Sequence, residues 1–156
     1  MKLKNRLLAG LAMMALLPSL AFGAPTLEAL LQQGKIDAVK GENGIYKIPV
    51  EVEGETVMVL AEESRLGSSD IRVVNLYALV LELPENYKLP EPMLQKMADL
   101  NNRLNIGKVY REDNYIFYKS SFLLRTADAD SLGVELVLAH VHRQALKKEL
   151  QPFVAQ

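Results

Sequence analysis

Residues 70–83, DIRVVNLYALVLEL, decide the fold, because they are too continuously apolar to form a half-exposed strand. Read with period two, Ile71, Val73, Tyr77, Leu79, Leu81 and Leu83 share one face, and Val74, Leu76, Ala78 and Val80 fill the other. The branched and aromatic content, with Ser68-Ser69-Asp70 before it and Pro84 after it, favours strand over helix. A strand apolar on both faces needs two covers. The protein's own helices supply one, and a further helix or another molecule must supply the second. Leu76, Tyr77, Ala78, Leu79 and Val80 are therefore the expected interaction surface. Charging Leu76 or Val80 is expected to split a dimer without unfolding it.

Downstream, Pro84, Pro90 and Pro92 punctuate a loop, and Met93, Met97, Leu100 and Leu104 then recur at helical spacing. Gly107 closes that helix region. Lys108 to Arg111 and Tyr115 to Leu124 read as two strands about a Glu112-Asp113-Asn114 turn. Thr126, Asp128 and Asp130 supply cap oxygens and carboxylates for a last helix from about Ser131 to Leu150. Its expected core stripe is Val134, Val137, Leu138, Val141 and Ala145, and Arg143, Lys147 and Lys148 suit its negative end.

Upstream, Ile48, Val50 and Val52 alternate with Lys47, Glu51 and Glu53, and Glu53-Gly54 turns the chain into Thr56 to Ala61, which makes a hairpin. Glu62 to Ser69 reads as a polar loop, and residues 35–44 as mixed and polar. Thr26 caps a short helix that runs to about Gln33, with Leu27, Leu30 and Leu31 on one face.

Met1 to Gly23 has the form of a secretory signal peptide. Lys2, Lys4 and Arg6 precede the apolar run Leu7 to Leu17, Pro18 breaks it, and Ala21-Phe22-Gly23 supplies small residues for cleavage between Gly23 and Ala24. Cutting one residue later would put Pro25 first, which the peptidase disfavours. The run is also short of the ~20 residues a spanning helix needs. The expected organisation is thus a signal peptide over 1–23 and one domain over 24–156, periplasmic and free of the membrane after cleavage.

Loss of the three early cations takes the formal charge from −1 to −4, which disfavours nucleic acid and anionic lipid as partners. The chain has no cysteine, so disulfides, thiol catalysis and thiolate metal sites are excluded. His140 and His142 lie two apart, about 200° around a helix, and do not grip one metal together. Glu51, Glu53 and Glu55 suggest paired carboxylates or a hard-cation site, but a solvated, charged strand edge is the better reading. Gly41 to Gly44 lacks the setting of a phosphate loop. Ser68-Ser69 and Ser120-Ser121 lack a nucleophile elbow, and the second pair suggests a bulge or bend. Tyr110, Tyr115, Phe117, Tyr118 and Phe122, with Lys108, Arg111 and Lys119, could stack single-stranded nucleic acid. Acidic charge and export favour cross-strand pairs instead. No cofactor is implied.

The segments Val74 to Pro84 and Leu100-Asn-Asn-Arg-Leu-Asn-Ile-Gly-Lys-Val-Tyr110, with Tyr115 to Lys119 after the acidic turn, resemble the YbjN family. The likeness runs from about Thr26 to Leu150. That family's fold is similar to type III secretion chaperones, and its members are mostly non-enzymatic. The resemblance transfers no catalytic residue, and it departs in carrying an export signal where those chaperones are cytoplasmic. The expected fold is α+β, in the order α-β-β-β-α-β-β-α, with helices packed on an antiparallel sheet. The expected function is a non-enzymatic periplasmic protein-binding, chaperone-like or regulatory adaptor, acting as a homodimer. The alternative is a small-ligand or inhibitor-type binding protein with a pocket between sheet and helices near Tyr110 and Tyr118. An enzyme would be an unrecognised hydrolase using Glu51, Glu53 or Asp113.

Overall fold

A computed structural model describes residues 25–154, so the expected signal peptide and its Gly23/Ala24 cleavage site lie outside the described residues. In chain order the elements are α1 (Leu27–Gln33), β1 (Val39–Lys40), β2 (Tyr46–Val52), β3 (Glu55–Arg65), β4 (Arg72–Glu82), α2 (Glu91–Arg103), β5 (Lys108–Glu112), β6 (Tyr115–Leu123) and α3 (Ala129–Leu150). Across the described residues the fold is α+β, with three α-helices and one antiparallel sheet ordered β1-β2-β3-β4-β6-β5.

Local chemistry sets the element ends. The Thr26 hydroxyl accepts from Ala29 N at 3.0 Å, and a Glu63 carboxylate oxygen accepts from Leu27 N, so two free donors of α1 are satisfied. At the β2–β3 turn Glu53 and Gly54 both take positive φ, 52° and 80°, as a tight hairpin requires. Asp128 and Ser131 form a reciprocal capping box that starts α3 two residues earlier than its pattern suggests. Gly107 has φ 78°, and a Cβ there would stand 2.6 Å from both the Lys119 carbonyl and the Tyr118 ring. Only glycine fits that turn.

Period-two alternation in β4 builds the core. Val74, Leu76 and Ala78 are fully buried and Val80 is 2% exposed, against α3, which crosses this face and also packs on β2, β6, α1 and α2. The β4–β6 register slips between Leu79 and Leu81, and the successive residues Val80 and Leu81 both enter the core. Arg143 of α3 donates from Nε to the Leu79 carbonyl at 3.0 Å beside that slip. Arg143 and Gln144 also bind the Glu55 carboxylate. Glu149 ties α3 to α2 through Lys96 at 2.5 Å and Arg103 at 3.1 Å.

The structure corrects several expectations. Leu76, Ala78 and Val80 are not an accessible surface, because α3 covers them. The last helix turns Leu132, Leu136, Ala139, His140, Leu146 and Leu150 inward, while Val134, Val137 and Val141 stay exposed. That helix carries two apolar stripes, and the larger leucines take the sheet. Residues 62–65 continue β3 instead of looping, because they pair with Arg72 to Asn75. Val39–Lys40 add a short edge strand within the segment read as mixed and polar. Ser120 and Ser121 stay in register, and the slip falls in β4. Asn101, near the end of α2, ties that helix to the sheet. Its amide accepts from Val109 N at 2.7 Å and donates to Val109 O at 2.9 Å, which clamps edge strand β5.

Leu76→Ala should cost about 2–5 kcal/mol, read as a lower urea midpoint, because it opens a cavity under α3. A loss below about 1 kcal/mol would place Leu76 outside the core.

Candidate functional site

The face of the sheet turned away from α3 carries the other half of β4. Tyr77 stands near the sheet centre, with Leu60 of β3 on one side and Lys119 of β6 on the other. Leu79 is opposite Phe117, which in turn is opposite Tyr110. Antiparallel registry alone brings these side chains together, because residues opposite one another project to the same side.

Four aromatic side chains, Tyr77, Tyr110, Tyr115 and Phe117, share this face. Phe117 lies 6.0 Å from both the Tyr110 and Tyr115 rings, and Lys119 Nζ stands 5.0 Å from the centre of the Tyr77 ring. The Tyr77 hydroxyl donates to the Glu62 carboxylate at 3.1 Å, and the Tyr110 hydroxyl to Glu112 at 3.5 Å. Lys108, Lys119, Glu62 and Glu112, with Leu60, Tyr77 and Phe117, line a depression of about 390 Å3. Its lining carries two acids and two bases, so it offers a polyanion no net attraction. Beside it, Ser121 donates to Asn75 Oδ1 at 2.6 Å and Asn75 donates to Ser64 at 2.7 Å, a polar rung across three strands.

Of the five residues expected to form an interaction surface, Tyr77 and Leu79 lie on this face and Leu76, Ala78 and Val80 do not. Tyr110 and Tyr118 do not share a pocket between sheet and helices. Tyr118 is 1% exposed on the α3 side, where its hydroxyl donates to Ile106 O, whereas Tyr110 lines the opposite face. The aromatic set around β6 is split in the same way: Tyr110, Tyr115 and Phe117 are with Lys108 and Lys119 on the side left bare by the helices of the described residues. Glu51 and Glu53 are exposed at the hairpin, and Glu55 is engaged by Arg143. His140 is fully buried with neither ring nitrogen hydrogen-bonded, and His142 packs its ring 5.1 Å from that of Tyr118. Among the described residues, no group of three or more His, Asp or Glu is placed to hold a metal ion. Leu60 and Glu62 escaped the sequence reading, since their place beside Tyr77 depends on the β3–β4 register.

Comparison of the chain with protein-family models and with curated proteins gives no match. No helix of the described residues is long and apolar enough to cross a membrane.

Burial, and then the Glu62 carboxylate, push the Tyr77 phenol well above the ordinary tyrosine value. Burial, and then Glu112, also raise the Tyr110 phenol. A phenol held protonated by the fold contributes stability that is fully present below the unfolded value of 10.0 and lost as pH rises past it. Ultraviolet titration of the folded protein should therefore show late phenolate formation, and Tyr77→Phe should remove part of it and flatten the alkaline loss of stability. Ionisation of all phenols together near the ordinary value, with the protein still folded, would contradict this placement.

Proposed function

We propose that this chain is a non-enzymatic binding module that receives an extended, apolar stretch of a partner polypeptide on its bare sheet face. The observation that carries the reading is the contrast between the faces of β4: helices seal Val74, Leu76, Ala78 and Val80, while Leu79, 36% exposed, and Tyr115, 39% exposed, remain open beside Tyr77 and Phe117. Aromatic side chains offer large contact area at small conformational cost, and the flanking Lys and Glu fix orientation without favouring one charge sign. The likeness to the YbjN family and its chaperone-like fold adds to this reading, as does the signal-like segment 1–23, which would place the activity in the periplasm. The depression sits at the low end of ligand-pocket sizes, which supports a small-ligand or inhibitor-type binding protein as the second reading.

Calorimetric titration with reduced, carboxymethylated α-lactalbumin, a permanently unfolded polypeptide, tests the proposal. Wild type should bind. Phe117→Glu should weaken binding tenfold or more, about 1.4 kcal/mol, with its urea midpoint near that of wild type. Binding indifferent to Phe117→Glu, or no binding by wild type, would contradict it. Silence here with a thermal shift from a small metabolite or glycan would select the second reading.

A further inference from the structure

The outer stripe of α3 has no role in the core and none in the bare sheet face. Val134, Val137 and Val141 are 59%, 44% and 43% exposed, although valine is neither a strong helix former nor a usual surface residue. With Ala145 they fall on one side of the helix, and Asp130 and Lys148 close the two ends of the same stripe. At 100° per residue these six positions span an arc of about 80°, opposite the buried leucines. The spacing three, four, four, three from Val134 to Lys148 is that of a helix seam. Asp130 and Lys148 are exposed, and among the described residues neither takes part in an ion pair.

We infer that this stripe is a homodimer interface in which α3 pairs antiparallel with α3 of a second copy. A two-fold axis midway between Val137 and Val141 sets Val137 against the partner's Val141. The same axis sets Gly133 against the partner's Ala145, where small residues let the backbones approach, and Asp130 against the partner's Lys148. The acidic end of one stripe meets the basic end of the other twice, and the helix dipoles oppose each other. A parallel pairing would instead put aspartate on aspartate and lysine on lysine. The self-complementary charge order therefore selects a second copy of this chain as the occupant. A shallow groove between Ile36 and the Gly133–Val137 segment extends the contact beyond the helix pair. The inference does not depend on what the sheet face binds.

Sedimentation equilibrium of the chain from Ala24 onward, which holds every residue of the described core, tests it over about 10–500 μM at low salt. Reversible monomer–dimer association is expected. Val137→Glu should raise the dissociation constant at least tenfold with the thermal melt of the dilute monomer unchanged. Asp130→Lys should weaken the dimer, and Asp130→Lys combined with Lys148→Asp should restore it, which only the antiparallel arrangement predicts. A monomer throughout the range, association unaffected by Val137→Glu, or no recovery in the charge-swapped double variant would overturn the inference.

Discussion

The packing of α3 against the even-numbered side chains of β4 is the interaction on which the rest of the molecule depends. Val74, Leu76, Ala78 and Val80 are sealed by Leu132, Leu136, Ala139 and Leu146, and both neighbours of β4 align their inward residues with it. Because a strand's side chains alternate, committing the even residues to α3 commits Tyr77 and Leu79 to the other side. The core and the bare face are two consequences of one registry, and a slip of one residue would exchange them.

Polar contacts hold that commitment in place. Arg143 reaches from α3 to the Leu79 carbonyl beside the register slip and to Glu55 at the start of β3, which fixes the helix over the sheet. Glu149 joins α3 to α2, and Asn101 of α2 pins β5. His140 sits in this packed layer with no hydrogen-bond partner, a departure from the rule that buried polar groups are satisfied. With α3 between the sheet and the outer valine stripe, an antiparallel α3 pair would stack sheet, helix, helix and sheet. The two bare faces would then point outward in opposite directions, and a long unfolded partner could engage both, gaining avidity without any new contact.

Much of this architecture is legible in the residues themselves. Strands β2, β4, β5 and β6, the first half of β3 and all three described helices follow from period, caps and turns, and the surplus apolar area of β4 is plain in its composition. The choice of face is not. Residues 70–83 offer two nearly equal apolar faces, and only the position of α3 distinguishes them. The same ambiguity reappears in α3, where valines at 134, 137 and 141 and leucines at 132, 136 and 146 form competing stripes that periodicity alone does not rank. The candidate site was half visible. Tyr77, Leu79, Tyr110 and Phe117 announce themselves as aromatic or apolar, but Leu60 and Glu62 join them only through long-range strand pairing.

The division of β4 into a sealed and an open face can be measured by thiol labelling, since the chain has no cysteine of its own. Single variants Leu79→Cys and Ala78→Cys, adjacent in sequence, should differ sharply under native conditions. Leu79→Cys should react at a rate near that of a free thiol, and Ala78→Cys about a thousandfold more slowly, through unfolding. Equal rates at the two positions, or faster reaction at Ala78→Cys, would contradict the account.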